Sequence, residues 1–527
     1  MQGPLELGDM QRLLIDGLSR WPESRYALVR VKKGQAVGAR TWLSSLLPHI
    51  ALAKHRTESK EPSNGLEPRV AIAFTAAGFE ALGLTGARGF LAEFRQGMAT
   101  PPRRANLGDP EVLRWGIDPI HILLMVFSRQ GQRDVDWLAL KPGPWADVDK
   151  RFDGFVRKDR REHFGFRDGI SQPRIEGTES PGQASSAEAA ANTIKPGEFV
   201  LGYINEAGVL PTSPTVSESL DPKDVLPGYP SRLGANGAAL KDFGRNGSYL
   251  VFRQLVQDVN GFEALLKRAH AGPERERLAA KLIGRWRSGA PLVKAPEADS
   301  KSLATDNDFT YYEPDRDGHA CPLGAHIRRA NPRDSLVDDD LGIGPDSAAQ
   351  EIRRHRIIRR GRMYQEGAEK GLLFVCLNAN IQDQFEFVQH QWLNSSRFAG
   401  LDGEVDPLVG PRQNGRSSMT VQTPDGSQQV TLPALVQRSA ARISSCQAST
   451  RSGVSSTCRN QSRYRTSSQR LASALGESER VVGACRFREL TDRVLSTTVP
   501  IEGAQVAVTL GLERAHAVAG RQGQRRL

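Results

Sequence analysis

The chain predicts two α+β units of the ferredoxin-like kind, each with an antiparallel sheet. Three observations point there. Short apolar strands interleave with segments whose apolar residues recur at helical spacing, the second half repeats the strand and helix logic of the first, and a Gly-, Ser-, Pro- and Ala-rich connection over 174–240 lies between them. The 527 residues suffice for two or three domains with a well-buried core. The expected boundaries are 1–197 for the first unit, 198–434 for the second, and 435–527 for an atypical Ser/Arg-rich tail.

In the first unit, Asp9–Leu18 is apolar at helical spacing and Arg25–Val31 alternates like a strand. Ala39–Pro48 reads as a helix, Val70–Phe74 as a strand and Ala76–Leu84 as a helix. Ile120–Ser128 is almost wholly apolar, which predicts a strand buried on both faces. His121 in that strand reads as a core or edge histidine, and His49, His55 and His163 sit in polar contexts without an assigned role. Within the connection, Glu198–Glu206 reads as a strand. The rest is loop, long enough to roof a pocket. The second unit reads as a strand at Arg245–Leu255, helices at Val259–His270 and Glu274–Arg287, a strand at Lys370–Asn380 and a helix at Ile381–Leu393.

No run of about 18 apolar residues is present, so no membrane-spanning helix is expected. The opening Met1–Met10 has neither a basic segment followed by an apolar one nor a twin-arginine pair, which predicts a cytoplasmic protein. The five cysteines (Cys321, Cys376, Cys446, Cys458, Cys485) include no C-x-x-C pair and read as reduced thiols rather than a disulfide scaffold or zinc site. The net charge of +11 is concentrated at the end. Residues 435–527 carry 15 Arg, no Lys and six acidic residues, leaving 56 basic against 54 acidic residues elsewhere. A folded nucleic-acid-binding face is therefore not expected.

Chemistry concentrates in three stretches. Arg161-Glu-His-Phe-Gly-Phe-Arg-Asp168-Gly-Ile-Ser-Gln-Pro173 sets a carboxylate between glycines in a tight loop. Cys321-Pro-Leu-Gly-Ala-His326-Ile-Arg-Arg-Ala-Asn331-Pro332-Arg333 holds a histidine ahead of a basic turn, and Arg356-Ile-Ile-Arg359-Arg360-Gly-Arg-Met-Tyr364 is a basic, strand-like run. Read singly, these are a capping aspartate, a structural histidine and a surface strand edge. Together they resemble the G-x-x-D-G, proximal-histidine and distal-arginine motifs of the dye-decolorizing peroxidases, haem enzymes of the same fold group as chlorite dismutase. The likeness runs from about residue 5 to 432 and includes Arg245–Leu255, Lys281–Leu292, Gly371–Phe387 and Asp406-Pro-Leu-Val-Gly.

The resemblance implies haem b in the second unit, with His326 as the axial iron ligand. It implies Asp168 as the acid-base group acting on hydrogen peroxide, and Arg359, with Arg360 as the fallback, as the stabiliser of developing charge. Gly169, Ile170, Ser171, Asn331, Pro332 and Arg333 would line the haem, Arg333 facing a propionate. The partners are then peroxide and an aromatic or dye reductant, without nucleic acid or membrane and with homo-oligomerisation left open. A carboxylate base predicts an acidic activity optimum. Tyr311, Tyr312 and Trp392 are candidate surface aromatics for oxidising bulky reductants, each also readable as packing. An acid that accepts a hydrogen bond from His326 is expected among Asp383, Glu386 and Asp406 without a ranking. Cys321, as a thiolate, would imply monooxygenase chemistry, but the glycine-rich cysteine loop of P450 enzymes is absent, so Cys321 and Cys376 read as packing residues. The rival functions are a haem deferrochelatase, a chlorite dismutase-like enzyme, and a haem-binding protein without turnover.

The likeness stops after Pro433. The family continues with a strand of the form Gly-Gly-x-Tyr-Phe-Phe-x-Pro, whereas Arg438–Ala448 is Ser- and Arg-rich, and 435–527 contains only Tyr464 and Phe487 as aromatics. One choice of synonymous codons for Ser439–Ala448, read from its third base, spells Gly-Gly-Ala-Tyr-Phe-Phe-Leu-Pro-Gly. This suggests a reading-frame shift near 434, and with it the loss of one strand of the second sheet. A genuine basic tail for nucleic acid or a partner is the competing account, against which the arginines lack regular spacing. Resequencing the gene should reveal the shifted frame; an intact frame with no alternative product would refute it.

Overall fold

The computed structural model describes residues 3–53, 67–110, 115, 119–178, 192–221, 224–233, 239–269, 271–412 and 415–446. Four strands build the first sheet: β1 (Glu23–Val31), β2 (Arg69–Phe74), β3 (Ile122–Ser128) and β4 (Ala146–Phe155). They lie in the order β4-β1-β3-β2, all antiparallel, with Glu23 opposite Ser128 and Val29 opposite Ile122. Every residue of β3 is buried, as its unbroken apolar run predicts. Helices α1 (Ala36–Leu46) and α2 (Ala76–Ala81) cover one face. There Trp42, Leu43 and Leu46 pack with Ile72, Leu124 and Val126.

The second sheet repeats this plan. Its strands are β5 (Ser248–Gln257), a short edge run β6 (Ile358–Arg359) continued by β7 (Arg362–Glu366), β8 (Glu369–Asn378), and, after a hairpin of β9 (Arg416–Thr423) and β10 (Gly426–Pro433), β11 (Val436–Cys446). The order is β11-β5-β8-β7, so in both sheets the fourth strand lies beside the first and the third between the first and second. This is the ferredoxin-like arrangement. Helices α3 (Val259–Ala269) and α4 (Pro273–Ile283) follow β5, α5 (His326–Ala330) and α6 (Pro345–Arg354) precede β6, and a helix of π-type turns over Gln382–Leu393 follows β8.

The two sheets join edge to edge. β4 pairs with β7 at Met363↔Phe155 and Tyr364↔Gly154, and β11 meets β2 at Ser445↔Phe74, which closes the strands into a ring. The core lies inside it: Tyr26, Leu28, Met125, Phe127 and Phe152 from the first sheet pack with Leu250, Phe252, Val375 and Leu377 from the second. Tyr26 stacks on Phe252 at 5.7 Å between ring centroids.

Several elements differ from the sequence expectation. Asp9–Leu18 forms one short turn, Arg12–Leu14, because the Asp16 carboxylate takes the Arg12 Nε (2.7 Å) and the Leu18 N–H (2.9 Å) and Leu18 sits at φ 52°. Glu198–Glu206 is not a strand. A tight turn at Pro196–Glu198 leads to Gly202 at φ 86°, and burial of Phe199, Val200, Leu201 and Tyr203 accounts for the apolar signal. Residues 436–446 occupy the edge of β5 that the tail composition left without a strand. They are held by backbone pairing from Val436↔Gln257 to Cys446↔Ser248, which depends on peptide groups rather than on side-chain type. The remaining tail, with Cys458 and Cys485, and His55 and His270 lie outside the described residues. Among the described residues, no helix is long and apolar enough to cross a membrane.

Glu198, only 5 % exposed, is pushed up to about 7, first by burial and then by neighbouring Glu206 and Asp383, against the pull of the Glu206 N–H and Arg354. Between its ordinary 4.5 and that value the native state keeps a proton that the unfolded chain has released. Stability therefore falls as pH rises through this window, by roughly 3 kcal/mol in all. Glu198→Gln should bring the melting temperatures at about pH 5 and about pH 8 closer together than in the parent protein. An unchanged gap would remove Glu198 as the cause.

Candidate active site

The loop leaving β4 is held from several sides. The Glu162 carboxylate accepts the N–H groups of Phe164 and Phe166 (both 2.9 Å) and the Gln257 amide (2.7 Å), and backbone bonds Glu162 N to Phe166 O and Gly165 N to Glu162 O close the turn. Burial raises the Glu162 pKa against the pull of those donors. Phe164 stacks on Phe262 of α3 at 4.5 Å. Gly165 is at φ 90°, and a Cβ there would lie 2.4 Å from the Arg287 guanidinium, which donates to Phe164 O. Gly169, at φ 83°, makes the next turn. Between these fixed points Asp168 is exposed, its N–H bonded to Arg160 O (3.1 Å) and its Oδ1 accepting Gly169 N–H (2.6 Å).

Arg359 reaches Asp168 from the other unit. Its Nη1 lies 3.5 Å from Asp168 Oδ1, 191 residues away in sequence. Arg360, the fallback, is turned elsewhere and donates to Leu13 O (2.7 Å) and Leu14 O (3.1 Å), which fastens the N-terminal segment to the second sheet.

His326 opens α5, and its Nδ1 lies 2.9 Å from Asp406 Oδ2. Burial pushes the fully enclosed Asp406 up, but the His326 ring and its hydrogen bond, the Val409 N–H and Arg329 outweigh that and hold it below the ordinary carboxylate range. Its Oδ1 accepts the N–H groups of Leu408 (2.9 Å) and Val409 (2.8 Å). An ionised acid on Nδ1 requires the proton there and leaves Nε2 with its lone pair. Of the three acids in question, the structure selects Asp406. Asp383 instead accepts from Asn380 Nδ2 (2.6 Å), and Glu386 pairs with Arg103 (2.7 Å).

The basic turn after His326 is largely structural. Arg329 donates to Trp392 O, Ser395 O and Glu404 O, and Arg328 pairs with Asp315 at 3.1 Å. Arg333, at φ 57°, stacks 3.8 Å over Phe309 and donates to Asn307 O, Phe309 O and Asn307 Oδ1. Pro332 beside it is buried, and Ile170 packs against Gly289. Cys321 is a buried free thiol pushed up to about 12, chiefly by burial, so it is no thiolate at ordinary pH. Tyr311 and Trp392 are buried and Tyr312 half-buried. Two of the three aromatics proposed for the surface are thus packing residues. His121 accepts Val31 N–H at Nδ1 (2.9 Å) beside the sheet.

Arg356 escaped notice in the sequence. Burial, and after it the charges of Arg333, Arg359 and Arg353, lower it to about 9. Among the described residues its Nη2 is buried without a partner, as is Asn331 Oδ1. Its one signal was membership of the same basic run as Arg359. A cluster of like charges with an unpaired buried donor fits an anion arriving from outside the protein chain.

The fold pairs two ferredoxin-like sheets, brings an aspartate and an arginine together across the seam between them and backs a histidine with a carboxylate, and its relatives make it a haem-dependent peroxidase. The chain belongs to the dye-decolorizing peroxidases. It is 30% identical over 411 residues to the dye-decolorizing peroxidase of Mycena epipterygia, spanning 70% of this chain and 68% of that one. It is also 29% identical over 417 residues to a multifunctional dye peroxidase of an Amycolatopsis species, spanning 72% and 80%. A solved dye-decolorizing peroxidase in complex with 2,6-dimethoxyphenol superposes with a TM-score of 0.66 at 26% identity, covering 85% of this chain and 99% of that one. No family model matches the chain. The residues present fit haem: His326 Nε2 is available to iron, and the unpaired Arg356 donor within the guanidinium cluster suits its propionates.

Asp406→Ala would strip the acceptor from His326 Nδ1–H and from two backbone N–H groups at once. It should cost roughly 3 kcal/mol in urea unfolding. A loss below about 1 kcal/mol would show that Asp406 does not hold this turn.

Proposed function

We propose that the protein binds haem b through His326 and reduces hydrogen peroxide at the expense of one-electron donors such as phenols and dyes. The pairing of Asp168 with Arg359 carries this reading, since it puts an acid-base group and a permanent cation at one point. Haem, when bound, supplies the redox chemistry that cleaves the O–O bond and accepts electrons from the reductant. Asp168 Oδ1 is engaged by Gly169 N–H and Arg359, so Oδ2 is the oxygen left to take a proton from peroxide and return it to the departing oxygen. Arg359 offers its guanidinium to the negative charge that develops there. Asp406 keeps the His326 proton on Nδ1, so that Nε2 is the ring atom that would hold the iron. Arg356, with Arg333, would hold the propionates, and Gly169, Ile170, Ser171, Asn331 and Pro332 would line the haem edge.

Phenols as donors are supported by the 2,6-dimethoxyphenol bound to the related solved peroxidase. The free thiols of Cys321 and Cys376 support a reducing, cytoplasmic setting. Peroxidase chemistry is favoured over chlorite decomposition, which needs no carboxylate at Asp168, and over haem storage, which needs neither Asp168 nor Arg359. Asp168→Asn separates them. Haem uptake, read from the visible absorption band, should survive while peroxide turnover falls by about 10² to 10⁴. Full turnover in the variant would remove Asp168 as the acid-base group, and a haem-loaded parent protein without turnover would favour storage.

A further inference from the structure

The Asp168–Arg359 contact is too weak to set its own geometry. The two side chains are 50 % and 37 % exposed and 3.5 Å apart, and exposed ion pairs of this kind contribute between nothing and about 1 kcal/mol. Something else must bring β6 to the loop. The register shows what. Ile358 faces Leu377 and Arg359 faces Cys376 across β8, and Arg360 donates its N–H to Val375 O at 2.7 Å. In an antiparallel ladder alternate residues point their peptide groups to opposite sides. Arg359 N–H therefore points away from β8, toward the side where β4 would continue. But β4 ends at Phe155, its last pair there being with Met363, and the chain departs into the loop that carries Asp168.

The donor that the sheet leaves open is taken by the end of that loop. Gln172 Oε1 accepts Arg359 N–H at 2.9 Å, while Gln172 N bonds to Ile170 O at 3.1 Å and Pro173 behind it is buried. One side chain thus stands in for the missing ladder partner and joins the two halves of the site four residues from Asp168. We propose that Gln172 is a positioning residue that fixes the register of Arg359 against Asp168. The proposal rests on the functional reading above for its catalytic consequence, but not for its structural one.

The test uses the full chain with haem, and Gln172→Leu, which keeps size and removes the acceptor, beside Gln172→Glu, which keeps an acceptor oxygen at the same reach. In Gln172→Leu the Arg359 amide should exchange with solvent about tenfold faster or more while the Arg360 amide, bonded within the sheet, stays protected. The second-order rate of peroxide consumption should fall about tenfold at unchanged haem content. Gln172→Glu should restore both. Should Gln172→Leu fail to fold, Gln172→Asn, which withdraws the acceptor by one methylene, carries the same readings. An Arg359 amide that exchanges as in the parent protein, or a changed exchange with an unchanged peroxide rate, would overturn the assignment. Asp168→Asn is the control. If it abolishes turnover and Gln172→Leu does not, the positioning role alone fails. If it leaves turnover intact, the acid-base role of Asp168 fails and the exchange measurement still judges Gln172; a haem-loaded parent protein without turnover is the outcome that sinks the peroxidase reading.

Discussion

The site depends on a seam that is only partly sewn. β4 and β7 share two residue pairs, Met363↔Phe155 and Tyr364↔Gly154, before β4 ends. Had the ladder run on, Arg359 would lie between two strands and the Asp168 loop would have no place beside it. Because the pairing stops, a segment from the first unit can meet a strand of the second at the open edge. Edge strands ordinarily invite unwanted pairing; here the exposed peptide group is occupied by Gln172.

Arginine serves opposite ends within the second unit. Arg328, Arg329, Arg360 and Arg362 are buried among backbone carbonyls: Arg362, for instance, donates to Trp21 O, Gly17 O and Leu18 O. They act as rigid multi-donor clamps and carry no chemistry. Among the described residues, Arg356 has no such set of acceptors for its Nη2. The difference between a clamp and a binding group lies in whether the chain itself supplies the acceptors.

That difference explains what could be read in advance. β1, β2 and β3 were legible because their apolar pattern has one simple cause, burial between layers. β4 was not, since Asp147, Asp149 and Arg151 alternate outward along a half-exposed strand and dilute the signal. The apolar spacing of 381–393 announced a helix, but spacing alone does not separate π-type turns from α. Asp168, Arg359 and His326 stood out through motif likeness. That Asp168 and Arg359 are neighbours, and that Asp406 rather than Asp383 or Glu386 backs His326, are facts of tertiary placement across 191 and 80 residues. Glu162, Gln172 and Arg356 matter only through what their side-chain ends meet, so composition and periodicity are silent about them.

Ring closure also bears on motion. Proteins that hold a ligand between two lobes often open and shut by rotating one lobe about a hinge. Here the sheets meet along both edges, and Arg360 and Arg362 tie the N-terminal segment to the second unit, so no single axis is left about which one half could swing. A visitor too large to pass between two fixed halves would have to be served from outside, through a wall whose spacing does not change from one encounter to the next.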